Sequence, residues 1–163
     1  MHRTKGRLSR AIATFGVAFL VATGLTIISA PAASASTCTW VGTRQLCGAV
    51  KNRTGRTLSY TRNLGSGSGS CAVWNRSGGP VEDWWPASCD QKAMGNGTVG
   101  GNNTGVDVDA FSFNGEGYHE RFGRLGTWHW RTRGVWTKFP DGSVADCGVG
   151  DGNEIWCTVL VQL

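Results

Sequence analysis

The stretch Ser143-Val144-Ala145-Asp146-Cys147-Gly148-Val149-Gly150-Asp151-Gly152-Asn153-Glu154-Ile155-Trp156-Cys157-Thr158-Val159-Leu160-Val161 carries the reading of the fold. Ile155, Cys157, Val159 and Val161 recur with period two, which lines one face of a strand and gives no helical stripe. Trp156 and Leu160 stand on the opposite face, so this segment has apolar groups on both sides and reads as a central strand. Ser143 to Cys147 reads as its neighbour, and Asp151-Gly152 between the two is a pair that chain reversal in a hairpin prefers.

Removing residues 1–35 from the 163 leaves 128, and removing Gly6, Gly16 and Gly24 from the 25 glycines leaves 22 among them. No ten-residue window in that part lacks a breaker or a β-branched run, so the domain is expected to be all-β. Further strands are expected at 45–51, 57–62, 70–75, 105–113, 118–122, 127–131 and 135–139. Short strands at such spacing predict a small β-sandwich or barrel. Within 106–113 the apolar phase shifts at Ala110/Phe111, which a β-bulge would reconcile. Phe139-Pro140-Asp141-Gly142 places proline and glycine where a type I turn wants them.

The first 35 residues read as a signal peptide: basic Arg3, Lys5, Arg7 and Arg10, an apolar run from Ala11 to Ile28, and the small-x-small site Ala33-Ser34-Ala35. On that reading the mature chain is expected to begin at Ser36 and to be secreted, with no membrane anchor. The whole-chain charge of +5 includes four basic leader residues, so the mature balance is 12 basic against 11 acidic. That excludes a nucleic-acid role inferred from the overall isoelectric point. The charge is polarised instead. Residues 36–76 hold six basic side chains and no acid, and 77–163 hold six basic and eleven acidic. Together with the run Gly65-Ser66-Gly67-Ser68-Gly69-Ser70, this suggests a basic N-terminal arm at 36–64, a hinge or loop at 65–70, and a β-rich body at 71–163.

Cys38, Cys47, Cys71, Cys89, Cys147 and Cys157 all follow the leader, as expected of three disulfides formed in an oxidising compartment. Six cysteines allow fifteen connectivities. Consecutive pairing is favoured because Cys38/Cys47 and Cys147/Cys157 each bracket a short stretch with a turn signal. A loop of that size stabilises by roughly 2–3 kcal/mol. The absence of Cys-x-x-Cys argues against a structural zinc or a redox site, and the inventory as a whole against an intracellular housekeeping enzyme.

Catalytic groups are sparse. His119 and His129 are the histidines beyond the leader, and no Gly-x-Ser-x-Gly elbow occurs. Tyr118-His119-Glu120 with Arg131-Thr132-Arg133-Gly134 resembles the active-site strand pair of secreted guanyl-specific ribonucleases, but no histidine follows His129 to act as the general acid. The expectation is a protein with no enzymatic activity, no cofactor and no metal. Asp107/Asp109 is the least implausible cation site if one existed. Eight tryptophans follow the leader. Trp84-Trp85-Pro86 cannot send both indoles inward from a strand, so Trp84 and Trp85 are candidates for stacking on a sugar or anchoring an interface, against the alternative that most indoles fill the core. Trp128 and Trp130 share a strand face opposite His129 and Arg131, as core or as an aromatic ledge. The loop from Cys38 to Cys47, closed by a disulfide, would present Trp40 and Arg44 to a partner, or would be a plain staple.

The plan of leader, cysteine-bearing β-rich body, and the segments Asp107-Val108-Asp109-Ala110-Phe111 and Gly134-Val135-Trp136-Thr137-Lys138-Phe139 resembles small secreted actinobacterial proteins. Within these it resembles the adaptor subunit of umbrella toxin particles. The resemblance implies an extracellular bridge between a trypsin-like, lectin-bearing subunit and a large toxin subunit in competition between bacteria. A secreted protease inhibitor, or a carbohydrate binder acting through tryptophan, is the alternative.

Overall fold

The computed structural model describes residues 38–65, 67–74, 85–101 and 106–162; the expected leader and Trp84 lie outside them. The described residues form strands β1 (Thr39–Val41), β2 (Arg44–Leu46), β3 (Ala49–Arg53), β4 (Leu58–Thr61), β5 (Gly69–Trp74), β6 (Trp85–Cys89) and β7 (Gln91–Met94). They continue with β8 (Thr98–Gly101), β9 (Ala110–Ser112), β10 (Tyr118–Phe122), β11 (His129–Arg131), β12 (Val135–Lys138), β13 (Ser143–Val149) and β14 (Ile155–Val161). The protein is all-β.

One six-stranded sheet has the order β11-β10-β14-β13-β3-β8 and a second β6-β5-β12-β9-β4-β7, with β1-β2 a separate two-stranded ribbon. The chain steps between sheets at β3–β4, β7–β8, β8–β9, β9–β10, β11–β12 and β12–β13, and the arrangement is nearly closed and barrel-like. β14 is interior, and Ile155, Cys157 and Val159 point into the core, as the alternation requires. The connection from β13 to β14 runs through a 3-10 turn, Asp151–Asn153, where Gly152 (φ 68°) and Asn153 (φ 62°) are both left-handed. Two such residues suit glycine and asparagine, so the reversal is wider than Asp151-Gly152 alone.

The main core lies between the sheets and joins Val50, Leu58, Phe111, Phe113, Tyr118, Phe139, Ile155 and Val159. Each large side chain of this kind contributes about 1.5–3 kcal/mol when removed from water. A second cluster of Leu64, Cys71, Val73, Cys89, Ala110 and Trp136 covers the other face of the second sheet. The cysteines pair consecutively, Cys38–Cys47, Cys71–Cys89 and Cys147–Cys157, the last bridging residues directly opposite in β13 and β14.

Two strand expectations change. The strand expected at 45–51 is two strands, broken at Cys47-Gly48, because the backbone of Val108 passes so close that a Cβ at Gly48 would lie 2.1 Å from its carbonyl oxygen. The strand expected at 105–113 is ladder only at Ala110–Ser112. Before it the chain crosses between sheets: Val108 N–H donates to Gly48 O (3.1 Å) and Asp109 N–H to Thr61 O (2.9 Å). The phase shift at Ala110/Phe111 reflects burial on both faces, Ala110 in the second cluster and Phe111 in the main core. Residues 49–53 and 58–61, within the expected basic arm, are the interior strands β3 and β4, and Gly69-Ser70 begin β5. What stands apart is the β1-β2 ribbon.

Candidate functional site

The ribbon is held at its base and open at its tip. Trp40 opposes Gln45 and Val41 opposes Arg44, with the reversal at Gly42-Thr43. The Cys38–Cys47 bridge closes it, Leu46 and Cys47 are buried, and Gln162 Nε2 donates to Cys47 O at 2.8 Å. Beyond that anchor Trp40 is 64% and Val41 59% exposed. Residues directly opposite share a face of an antiparallel pair. Arg44 therefore shares a face with Val41 and Trp40 lies on the reverse, so the two expected contact residues belong to one element but not to one surface.

A second surface is the outer face of the first sheet. Register aligns Trp130, His119, Trp156, Gly148 and Arg53 in one row across five strands. His119 stacks on Trp156 (centroids 4.0 Å, 13°) and meets Trp130 edge-on at 4.9 Å. Its Nε2 pairs with Glu154 Oε2 at 2.9 Å. Trp128 stands edge-on to Trp156 at 4.7 Å, with the Arg121 guanidinium 4.3 Å above its ring. Because Gly148 carries no side chain, the row dips between Trp156 and Arg53. The resulting groove, about 470 Å³, is lined also by Arg121, Arg124 and Thr158.

Trp128 and Trp130 thus form the aromatic ledge and not core: Trp130 is 51% exposed, whereas Arg131 is buried. The reason lies inside the sheet. Glu120 Oε1 accepts from Arg131 Nε (2.9 Å) and Nη2 (2.7 Å), and Oε2 accepts from Thr137 Oγ1 (2.5 Å). The Tyr118 hydroxyl lies 2.8 Å from Thr137 Oγ1 and donates to Val135 O at 2.9 Å. Burial pushes the Glu120 pKa up, while Thr137 and Arg131 hold it down. The two strands that resemble a ribonuclease pair are indeed adjacent, but Glu120 and Arg131 are 0% and 1% exposed and bound to each other, so neither can meet a substrate there.

A third group is acidic. Asp107 and Asp109, from the crossing segment, approach Asp141 of the turn between β12 and β13. Burial and the Asp107 carboxylate raise the Asp141 pKa.

Trp84 is outside the described residues, and Trp85 is placed only by its backbone in β6. Sequence reading missed Trp156 and His119 as surface partners, since alternation groups residues by face without saying which face is outside. Trp136 alone among the indoles with described surroundings is fully buried. Comparison with protein-family models, with characterised proteins and with solved structures found no match for this chain.

Proposed function

We propose that this protein is a secreted, non-catalytic bridging protein that docks one protein partner through the β1-β2 ribbon and engages a second through the aromatic face of the first sheet. The observation that carries the reading is the exposure of Trp40 and Val41 at the tip of a disulfide-closed ribbon that joins neither large sheet. Indoles held out on an element ordered beforehand make good anchors, because little conformational freedom is left to lose on binding. A bridge also needs separable surfaces. The ribbon base is fastened at Gln162 and the aromatic row crosses β14 at Trp156. Six residues of strand separate them, roughly 20 Å. Three disulfides suit an oxidising, extracellular setting. By its resemblance the assembly is an antibacterial toxin particle, with a trypsin-like subunit at the ribbon and the large toxin subunit at the sheet.

The test is affinity purification of the tagged protein from its producer at native expression. Two stable partners are expected, with Trp40→Ala losing one and Trp130→Ala the other. Recovery of the isolated monomer, or loss of both partners with either variant, overturns the reading. A second reading, a carbohydrate binder, is favoured by the ledge of Trp128, Trp130 and Trp156; retention on a glycan column abolished by Trp130→Ala, with no protein partner, would establish it. Stoichiometric inhibition of a trypsin-like protease abolished by Arg44→Ala would establish an inhibitor instead.

A further inference from the structure

We propose that Asp107, Asp109 and Asp141 bind a calcium ion at the point where the chain crosses between the two sheets. One oxygen from each carboxylate falls within 4.8 Å of the others. Two oxygens bound to one calcium ion at 2.3–2.6 Å stand no more than about 4.6–5.2 Å apart, so the set can close around calcium. Magnesium demands near-ideal octahedral geometry and gives up its water reluctantly, which a site of three carboxylates from separate segments suits less well. The donors are all hard oxygens with no sulfur or imidazole, which disfavours zinc and copper.

A separate observation points to a ligand. Asp107 is only 5% exposed; its Oδ1 accepts the Gly48 N–H, yet its Oδ2 is buried with no hydrogen-bond partner among the described residues. Native structures rarely leave a buried carboxylate oxygen unpaired, and a cation satisfies it where no donor reaches. A Cβ at residue 48 would stand 2.9 Å from Asp107 Oδ1, so glycine there leaves room for the carboxylate. Lys138 is the cation whose charge reaches Asp141. Asp141 is exposed, which gives an ion a way in and leaves room for water to complete its shell.

The site would tie together three pieces that no disulfide joins: the crossing segment, the β12–β13 turn, and the ribbon base, where Thr39 Oγ1 donates to Asp141 Oδ2 at 3.4 Å. Calcium would therefore order the ribbon as well as stabilise the body. Its ligand charge and partial exposure suit the affinity range of extracellular modules, about 10⁻⁴ to 10⁻³ M.

Equilibrium dialysis of the oxidised, chelator-stripped protein against radioactive calcium tests this, with thermal unfolding in calcium or magnesium alongside. One saturable ion per chain is expected, with a dissociation constant of about 10⁻⁴ to 10⁻³ M and a rise in Tm at millimolar calcium. Magnesium should bind at least about tenfold more weakly. Asp141→Asn, at an exposed position, should fold and lose at least about tenfold in affinity, and Asp107→Asn, which keeps an acceptor for Gly48, should lose more. The control Asp151→Asn, on another turn, should bind as wild type. Absence of saturable binding, equal magnesium affinity, or an unchanged calcium response in Asp141→Asn overturns the proposal.

Discussion

Replacing Arg131 with methionine tests whether the Glu120 cluster is a closed structural unit. In the folded protein Glu120 and Arg131 have almost no solvent contact, and the guanidinium gives two of the three hydrogen bonds that the carboxylate receives. Arg131→Met removes both charge-assisted bonds and leaves a carboxyl group in a site whose burial already disfavours its charge. Removing one member of a buried pair costs about 3–5 kcal/mol. A domain of this size has a total stability of about 6–19 kcal/mol at roughly 0.05–0.15 kcal/mol per residue, so the loss is a large share. With a urea m-value of about 2 kcal/mol/M, the unfolding midpoint should fall by about 2 M. The double variant Glu120→Leu/Arg131→Met should recover most of this, since apolar groups of similar volume need no compensation and Thr137 keeps the Tyr118 hydroxyl as a neighbour. Urea titrations of the two singles and the double close the cycle. A loss under about 1 kcal/mol for Arg131→Met, or a double variant as unstable as the two singles combined, would refute the closed-unit reasoning. It would also return Glu120 to the list of groups able to act on a substrate.

Burial is the largest influence on Glu120 and raises its folded pKa above its ordinary 4.5, so its contribution to stability is full below that value and lost as pH rises through the folded pKa. The unfolding free energy of wild type minus that of Glu120→Gln should therefore decrease as pH climbs above 4.5, and a flat or rising difference contradicts this. Trp40→Ala removes an exposed side chain and should change stability by no more than about 0.5 kcal/mol while weakening one partner by roughly 2–4 kcal/mol, as calorimetry of the complex would read. Because Arg44 lies on the other face of the ribbon, Arg44→Ala should separate from Trp40→Ala in partner affinity; identical losses would argue against distinct faces. Deleting the Cys147–Cys157 bridge by double alanine substitution should cost roughly 2–3 kcal/mol, read as a drop in urea midpoint.

The all-β class was legible in residues 143–161 because period two is a local property of the chain, and the consecutive cysteine pairs were legible because each spans a short segment. Alternation also grouped Trp130 against Arg131 correctly but could not orient them. In or out is decided by what the neighbouring strand supplies, and here β10 supplies Glu120 to the inside and His119 to the outside. Strand 45–51 broke at Gly48 because of Val108, sixty residues later, and the crossing at Asp107 to Asp109 replaced a bulge because two different sheets offered acceptors. The sequence by itself determined composition, periodicity and the cysteine staples. Only the tertiary structure brought Asp141 to Asp107 and Asp109, and Trp130, His119 and Trp156 into one row, since each grouping depends on long-range strand register that no local propensity encodes.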